Sequence, residues 1–128
     1  MKEIVGTWRL VETRAKNDAG EPLEPPYGPH PMGTVWFSDR GRMQSVLCDG
    51  RASLPGAAER EYQSYCGNYT FDGKRLVTRV DACSDPKRMG TDQVRGVAFE
   101  GERMVLTPPP QPLRGVMQHR QLVWQRIA

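Results

Sequence analysis

Three residues, Arg79, Asp81 and Cys83, recur at every second position of one apolar-flanked stretch, LVTRVDAC. In an extended strand that spacing puts a guanidinium, a carboxylate and a thiol on one face, with Thr78, Val80 and Ala82 on the other. On a solvent face the polar set is a surface ladder. On the wall of a cavity it places Asp81 as a general base, with Arg79 stabilising a developing oxyanion. A buried charge in such a place is costly unless it is paired. Gln93 and Arg95 repeat the pattern on the next stretch, where they share a face with Val97 and Phe99. The apolar company of that face favours an inward Arg95. Cross-strand neighbours on one face are close enough to interact, so Asp81 with Arg95 is an expected interior pair if the register allows it.

Around these lie side chains suited to holding a small molecule: Trp36, Met43, Tyr62, Tyr65, Cys83 and Gln93. Alternation sends Trp36 and Phe37 to opposite faces, with Met43 and Leu47 divided between lining and core. Tyr62 and Tyr65 either line a pocket mouth or anchor their segment to a rim. A phenol offers apolar area with one hydrogen-bonding group, which suits orienting an aromatic or polyketide-like ligand. Glu12, which shares a face with Trp8 and Leu10, would enter a cavity from the first strand. No metal or cofactor is expected. The two histidines, His30 and His119, stand far apart without ligand spacing, and there is no phosphate-binding glycine loop or nucleophile elbow.

The elements that must position these residues are strands. Gly6-Thr7-Trp8-Arg9-Leu10 near the start and Leu122-Val123-Trp124-Gln125-Arg126 near the end both alternate with period two. A strand at each end can pair to close a sheet on itself. Turn signals at Asn17-Asp18-Ala19-Gly20, Asp39-Arg40-Gly41, Asp72-Gly73 and Glu100-Gly101-Glu102 divide the chain into roughly eight strands in hairpin succession. Residues 22–31 hold five prolines and read as a long loop over one end. Residues 108–112 hold four and read as the stop of a strand. Residues 56–65, rich in Ala, Glu and Arg without a β-branched side chain, predict one short helix bearing Tyr62 and Tyr65. The expected fold is all-β: one domain over residues 1–128, an eight-stranded up-and-down antiparallel barrel with one short helix.

The chain has 128 residues and a net charge of +3, with basic residues spread among apolar ones. That spread argues against nucleic acid as a partner. No stretch approaches a membrane span. The residues before the first strand show no leader of the secretory kind. Three cysteines, Cys48, Cys66 and Cys83, form no paired motif, which suits free thiols in a cytoplasmic setting.

Four segments in order and spacing carry a resemblance: VGTWRLV at 5–11, GPHPMG at 28–33, YCGNYTFDG at 65–73, and GTDQVR at 90–95 before GERMVL at 101–106. Together they resemble the short bacterial and fungal lipocalin-like domain family, of calycin type. The resemblance implies an eight-stranded barrel with a pocket at one mouth. It also implies that Trp8 packs at the closed floor beneath a basic residue of the last strand, such as Arg126. In such relatives the strand after the Asp-Gly turn often carries histidine, where this chain has Thr78 and Arg79. The expected function is a small-molecule pocket protein, foremost a cofactor-independent isomerase, cyclase or lyase acting on a hydrophobic metabolite of secondary metabolism. The alternative is a non-catalytic carrier of an apolar ligand. A homodimer is the expected assembly.

Overall fold

Trp8 and Leu10 are buried and Arg9 is exposed, so the first strand, β1 (Gly6–Lys16), alternates as expected through its first half. The computed structural model describes residues 3–128. At Val11 the alternation slips. Leu10 pairs with Trp124 while Glu12 pairs with Val123, leaving one extra residue in β1. Such a bulge reverses the facing of everything beyond it. Thr13 and Ala15 are therefore buried, and Glu12 turns outward to bind Arg14 at 2.5 Å. Glu12 does not enter the cavity.

The chain continues through β2 (Pro31–Phe37), β3 (Arg42–Asp49), β4 (Tyr62–Phe71), β5 (Arg75–Cys83), β6 (Asp92–Glu100), β7 (Arg103–Thr107), β8 (Gln111–Leu113) and β9 (Val116–Arg126). All pairings are antiparallel. The order is β1-β2-β3-β4-β5-β6-β7-β9, and β9 pairs again with β1, so eight strands close into a barrel without a free edge. The short β8 pairs only with the start of β9. The proline run therefore ends β7 without ending the pairing, since Pro112 sits opposite Met117 in this hairpin arm.

One end of the barrel is packed solid. Ile4, Trp8, Phe37, Met43, Leu76, Met104 and Trp124 are all at most 1% exposed and belong to one cluster. Phe37 meets Tyr69 edge-on at 5.2 Å. The Trp8 indole N–H donates to the Ile4 carbonyl at 2.9 Å, and the Arg126 guanidinium covers the ring at 4.3 Å from its centre. Arg126 is itself fixed by donating to the carbonyls of Val5 and Glu3. The floor has the arrangement that the family resemblance implies.

The expected helix over 56–65 is absent. Residues 50–61 form an irregular loop, closed by the Asp49 amide donating to the Glu61 carbonyl at 3.0 Å and by Arg60 donating to the carbonyls of Asp49 and Arg51. Tyr62 already belongs to β4. Helix propensity differs by at most ~0.7 kcal/mol per ordinary residue. It is outweighed here by two strand ladders, β3–β4 and β4–β5, which satisfy the backbone of β4 on both sides. The only helical element among the described residues is a single 3-10 turn at Pro86–Arg88, capped by the Asp85 carboxylate, where the sequence reads as a loop.

Gly67 marks a second bulge, between Cys66 and Gly67 on β4 against Val80 and Ala82 on β5. A side chain at Gly67 would run into the Arg79 carbonyl, so the two backbones approach this closely only with glycine there. This bulge makes Asp81 the unpaired residue and turns Cys83 back to the face of Tyr65.

Candidate functional site

The end of the barrel away from Trp8 holds a cavity of about 520 Å³. Its apolar lining is Val35, Leu47, Leu106, Leu122 and Trp124, contributed by β2, β3, β7 and β9. Its polar lining is Ser45, Gln63, Tyr65, Gln93, Arg95, Gln118 and Arg120. The rim is built by Pro26 and Tyr27 of the proline loop, by Asp85 and Arg88 at the 3-10 turn, and by Pro108 and Pro109 after β7. The loop is held down by Thr13, whose hydroxyl donates to the Pro26 carbonyl at 2.6 Å, and by the Tyr27 amide donating to Glu61 at 3.0 Å. Tyr27 adopts a positive φ of 65°, uncommon for a bulky residue, and this conformation lays its side chain into the mouth.

Arg95 and Gln93 stand two positions apart on β6 and both line the cavity. Among the described residues Arg95 makes no ion pair. Its one hydrogen bond runs from Nη1 to the carbonyl of its neighbour Val94, at 2.8 Å. Burial pulls its pKa down and nearby Arg88 adds to that, while the phenols of Tyr65 and Tyr27 act the other way. Guanidinium remains charged even so. Gln93 is 6% exposed, and neither atom of its amide finds a partner. The amide lies near enough to the Tyr65 phenol to favour its ionised form without completing a hydrogen bond. Burial nevertheless dominates at Tyr65 and pushes its pKa up, against the opposing pull of Arg95 and Arg88. The Trp124 indole N–H is a further buried donor without a partner.

A second polar chain crosses the mouth. The Gln63 amide satisfies both its neighbours when its nitrogen donates to the Tyr27 hydroxyl, at 3.1 Å, and its oxygen accepts from Arg88. In that orientation the Tyr27 hydroxyl accepts from Gln63 and its own proton is free to be donated, and Tyr27 lines the cavity. Burial, reinforced by Glu61, raises the Tyr27 pKa to about 12, so the phenol keeps its proton at neutral pH. The Arg88 guanidinium also covers the Tyr65 ring. On β9 Arg120 lies 4.0 Å from the same Glu61 and donates to Gln118 at 3.3 Å. Three guanidiniums thus reach this chamber, and its balance is cationic.

The residues named from sequence do not all meet. Arg95, Gln93 and Tyr65 are brought together in the cavity wall. Asp81 and Arg79 are on the outer surface, where Asp81 binds Arg42 and Arg79 binds Asp92 at 3.3 Å. Arg95 sits opposite Leu76 rather than Asp81, so the expected interior pair does not form. Trp36 is 40% exposed on the outside of β2, and Tyr62 is likewise outside at the start of β4. Met43 is buried in the floor beneath the cavity. Cys83 faces Tyr65 across β4 and β5 but is only half-buried and does not line the cavity. His119 pairs with Asp18 through Nε2 at 2.8 Å, and His30 is exposed in the proline loop.

The sequence matches the lipocalin-like domain family over residues 5–127, nearly its whole length. The chain belongs to that family. No curated protein and no solved structure matches it. In this lipocalin-like barrel several cavity residues carry little signal in the sequence. Arg120 and Gln118 lie on the inward face of β9 and follow from extending the alternation of Leu122 and Trp124 backwards by two and four residues. Gln63 follows in the same way from Tyr65, once the segment is read as strand. Tyr27 and Arg88 sit in a loop and a turn, where no periodicity exists to orient them. A lipocalin-like barrel with this open end is a small-molecule binding architecture.

Proposed function

We propose that this barrel takes up one small molecule with a largely apolar, ring-containing body and holds it as a binding protein. The observation that carries the reading is the cavity itself, about 520 Å³, closed below by a packed floor and open above. That volume lies within the ~300–1,000 Å³ of ordinary ligand sites, which combine apolar walls with a few placed polar groups. Val35, Leu106, Leu122 and Trp124 supply the apolar part, and Tyr27, Tyr65 and Arg95 the polar part.

The test is a titration with the neutral fluorophore 1-aminoanthracene, read by quenching of tryptophan emission, since Trp124 lines the chamber. Saturable binding at one site is expected. Leu106→Phe or Leu122→Phe, which fill the chamber, should weaken it at least tenfold while the far-ultraviolet circular dichroism stays unchanged. Binding indifferent to both substitutions would remove the reading.

A second reading, cofactor-free isomerase, cyclase or lyase chemistry on such a ligand, is favoured by the Tyr27 phenol beside a cationic chamber. A protonated phenol facing the cavity is a proton donor, and Arg95 would stabilise an enolate oxygen as charge develops. Asp81, outside the barrel, is not the base of this reading. Asp85 and Asp92 are the carboxylates on the cavity lining, although one caps the 3-10 turn and the other is paired with Arg79. Those engagements are why binding is placed first. Turnover of enolisable ketones that is lost in Tyr27→Phe with ligand affinity retained would reverse the order.

A further inference from the structure

We infer that the molecule held in this cavity carries a carboxylate, seated between the guanidinium of Arg95 and the amide of Gln93. The inference rests on the reading that the cavity takes a small molecule, and adds the charge and the position of its head group.

A charge drawn out of water without a counter-charge is expensive, and proteins pair such charges or hydrogen-bond them. Among the described residues Arg95, half-buried in the cavity wall, has no such partner. It lines the cavity, yet among the described residues no carboxylate reaches it, and one of its five N–H donors is used, on a backbone carbonyl. The acids of the neighbourhood are engaged elsewhere. Asp92 binds Arg79 on the outside, Asp85 caps the 3-10 turn by accepting from the Lys87 amide at 3.1 Å, Glu61 accepts from the Tyr27 amide and faces Arg120, and Asp49 binds Arg51 at 2.6 Å. What surrounds Arg95 is two phenols and a second cation, Arg88.

Gln93 is an independent observation pointing to the same place. The residue is 6% exposed and lines the cavity, and neither its amide nitrogen nor its amide oxygen has a hydrogen-bond partner. Buried side-chain amides are ordinarily satisfied, and an orphaned one marks a missing partner. Gln93 and Arg95 project from the same face of one strand, roughly 7 Å apart along it. Two planar donor groups at that spacing can each address one oxygen of a carboxylate, with guanidinium the favoured partner for that geometry. The Tyr65 phenol beside them is neutral, so it adds a donor without adding repulsion. The apolar body then extends toward Leu106, Leu122 and Trp124.

The experiment compares matched acid and amide probes: 2-naphthylacetic acid with 2-naphthylacetamide, and phenylacetic acid with phenylacetamide. Each is titrated into the full chain at pH 7, alongside 1-aminoanthracene. The acid of at least one pair should bind tenfold or more tighter than its amide. Arg95→Met should abolish that preference by weakening the acid alone, and it should leave the thermal midpoint of the empty protein unchanged or higher, because an unpaired, half-buried charge has been removed. Gln93→Leu, a substitution that leaves the charge in place, should reduce the preference in part, and it serves as the second variant if Arg95→Met does not fold. Equal binding of acid and amide by the native chain overturns the carboxylate while leaving the pocket reading intact, provided 1-aminoanthracene binds. Retention of acid preference in Arg95→Met overturns it as well. Failure of all the probes to bind overturns the pocket reading, and this inference with it.

Discussion

The Arg88 guanidinium lies over the Tyr65 ring, 5.4 Å from its centre. One residue belongs to the 3-10 turn between β5 and β6 and the other to the wall of β4, so this contact seats the turn against the mouth of the barrel. It also brings a second positive charge toward Arg95. Arg88→Ala should cost about 0.5–1 kcal/mol of stability, the size of a partly exposed cation–π contact. It should also weaken binding of an acidic ligand by about three- to tenfold, a Coulombic loss at short range in a partly dry site. Urea unfolding and a 2-naphthylacetate titration measure the two effects separately.

Asp81 and Arg42 make an ion pair on the outside of the barrel, with both side chains substantially exposed. Surface pairs of this kind are worth ~0–1 kcal/mol. Asp81→Asn should therefore change stability by no more than about 0.5 kcal/mol and leave ligand affinity within a factor of two. A tenfold loss of binding in this variant would return Asp81 to the site.

Tyr27 makes stability sensitive to alkaline pH. Its folded pKa is raised, to about 12 from an ordinary 10.0. The unfolded chain therefore releases this proton first, and the stabilisation is complete below pH 10 and lost as pH climbs from there through about 12. Two pKa units correspond to about 2–3 kcal/mol. Tyr27→Phe should show a shallower fall in urea stability between pH 9.5 and 12 than the native chain. Parallel slopes would mean that the phenol ionises equally well in both states.

Arg126 and Trp8 tie the last strand to the first beneath the barrel floor. Arg126→Ala should cost about 1–2 kcal/mol, because the stacked cation goes together with two charge-assisted bonds to the carbonyls of Val5 and Glu3. A double-mutant cycle with Trp8→Leu should return a coupling energy of about 1 kcal/mol. A coupling near zero would assign the whole effect of Arg126 to its backbone bonds.

The fold was largely legible from the chain. Alternation over Trp8 and Leu10, and over Leu122 and Trp124, reports a strand with one buried face whatever surrounds it, because side chains leave an extended backbone with period two. Turn pairs such as Asp72-Gly73 and Glu100-Gly101 act through local backbone geometry, so the hairpins could be placed without tertiary information. Composition favours a helix over residues 56–65 by only a few tenths of a kcal/mol per residue, and strand pairing outweighs that at 62–65, which belong to β4, while 56–61 form an irregular loop.

The site divides along the same line. Gln93 and Arg95 share a face with Val97 and Phe99, and that apolar company marked the inward side of β6 in advance. For β5 the sequence left two faces open, and only the closed barrel chose between them, turning Thr78 and Val80 in and Arg79 and Asp81 out. The bulges at Val11 and at Cys66/Gly67 shift the facing of Glu12 and Cys83 by one position, and a one-residue shift inverts every inference drawn from alternation. Tyr27, Arg88 and Arg120 meet around one chamber only because β1 and β9 close the sheet and three distant connections converge on its mouth. What the sequence determined alone is therefore local in cause: periodicity and turns, beside the four short segments that carry the family resemblance. What the tertiary structure decided is which charges find partners and which, like Arg95, are left facing an open cavity, since pairing depends on residues far apart in the chain.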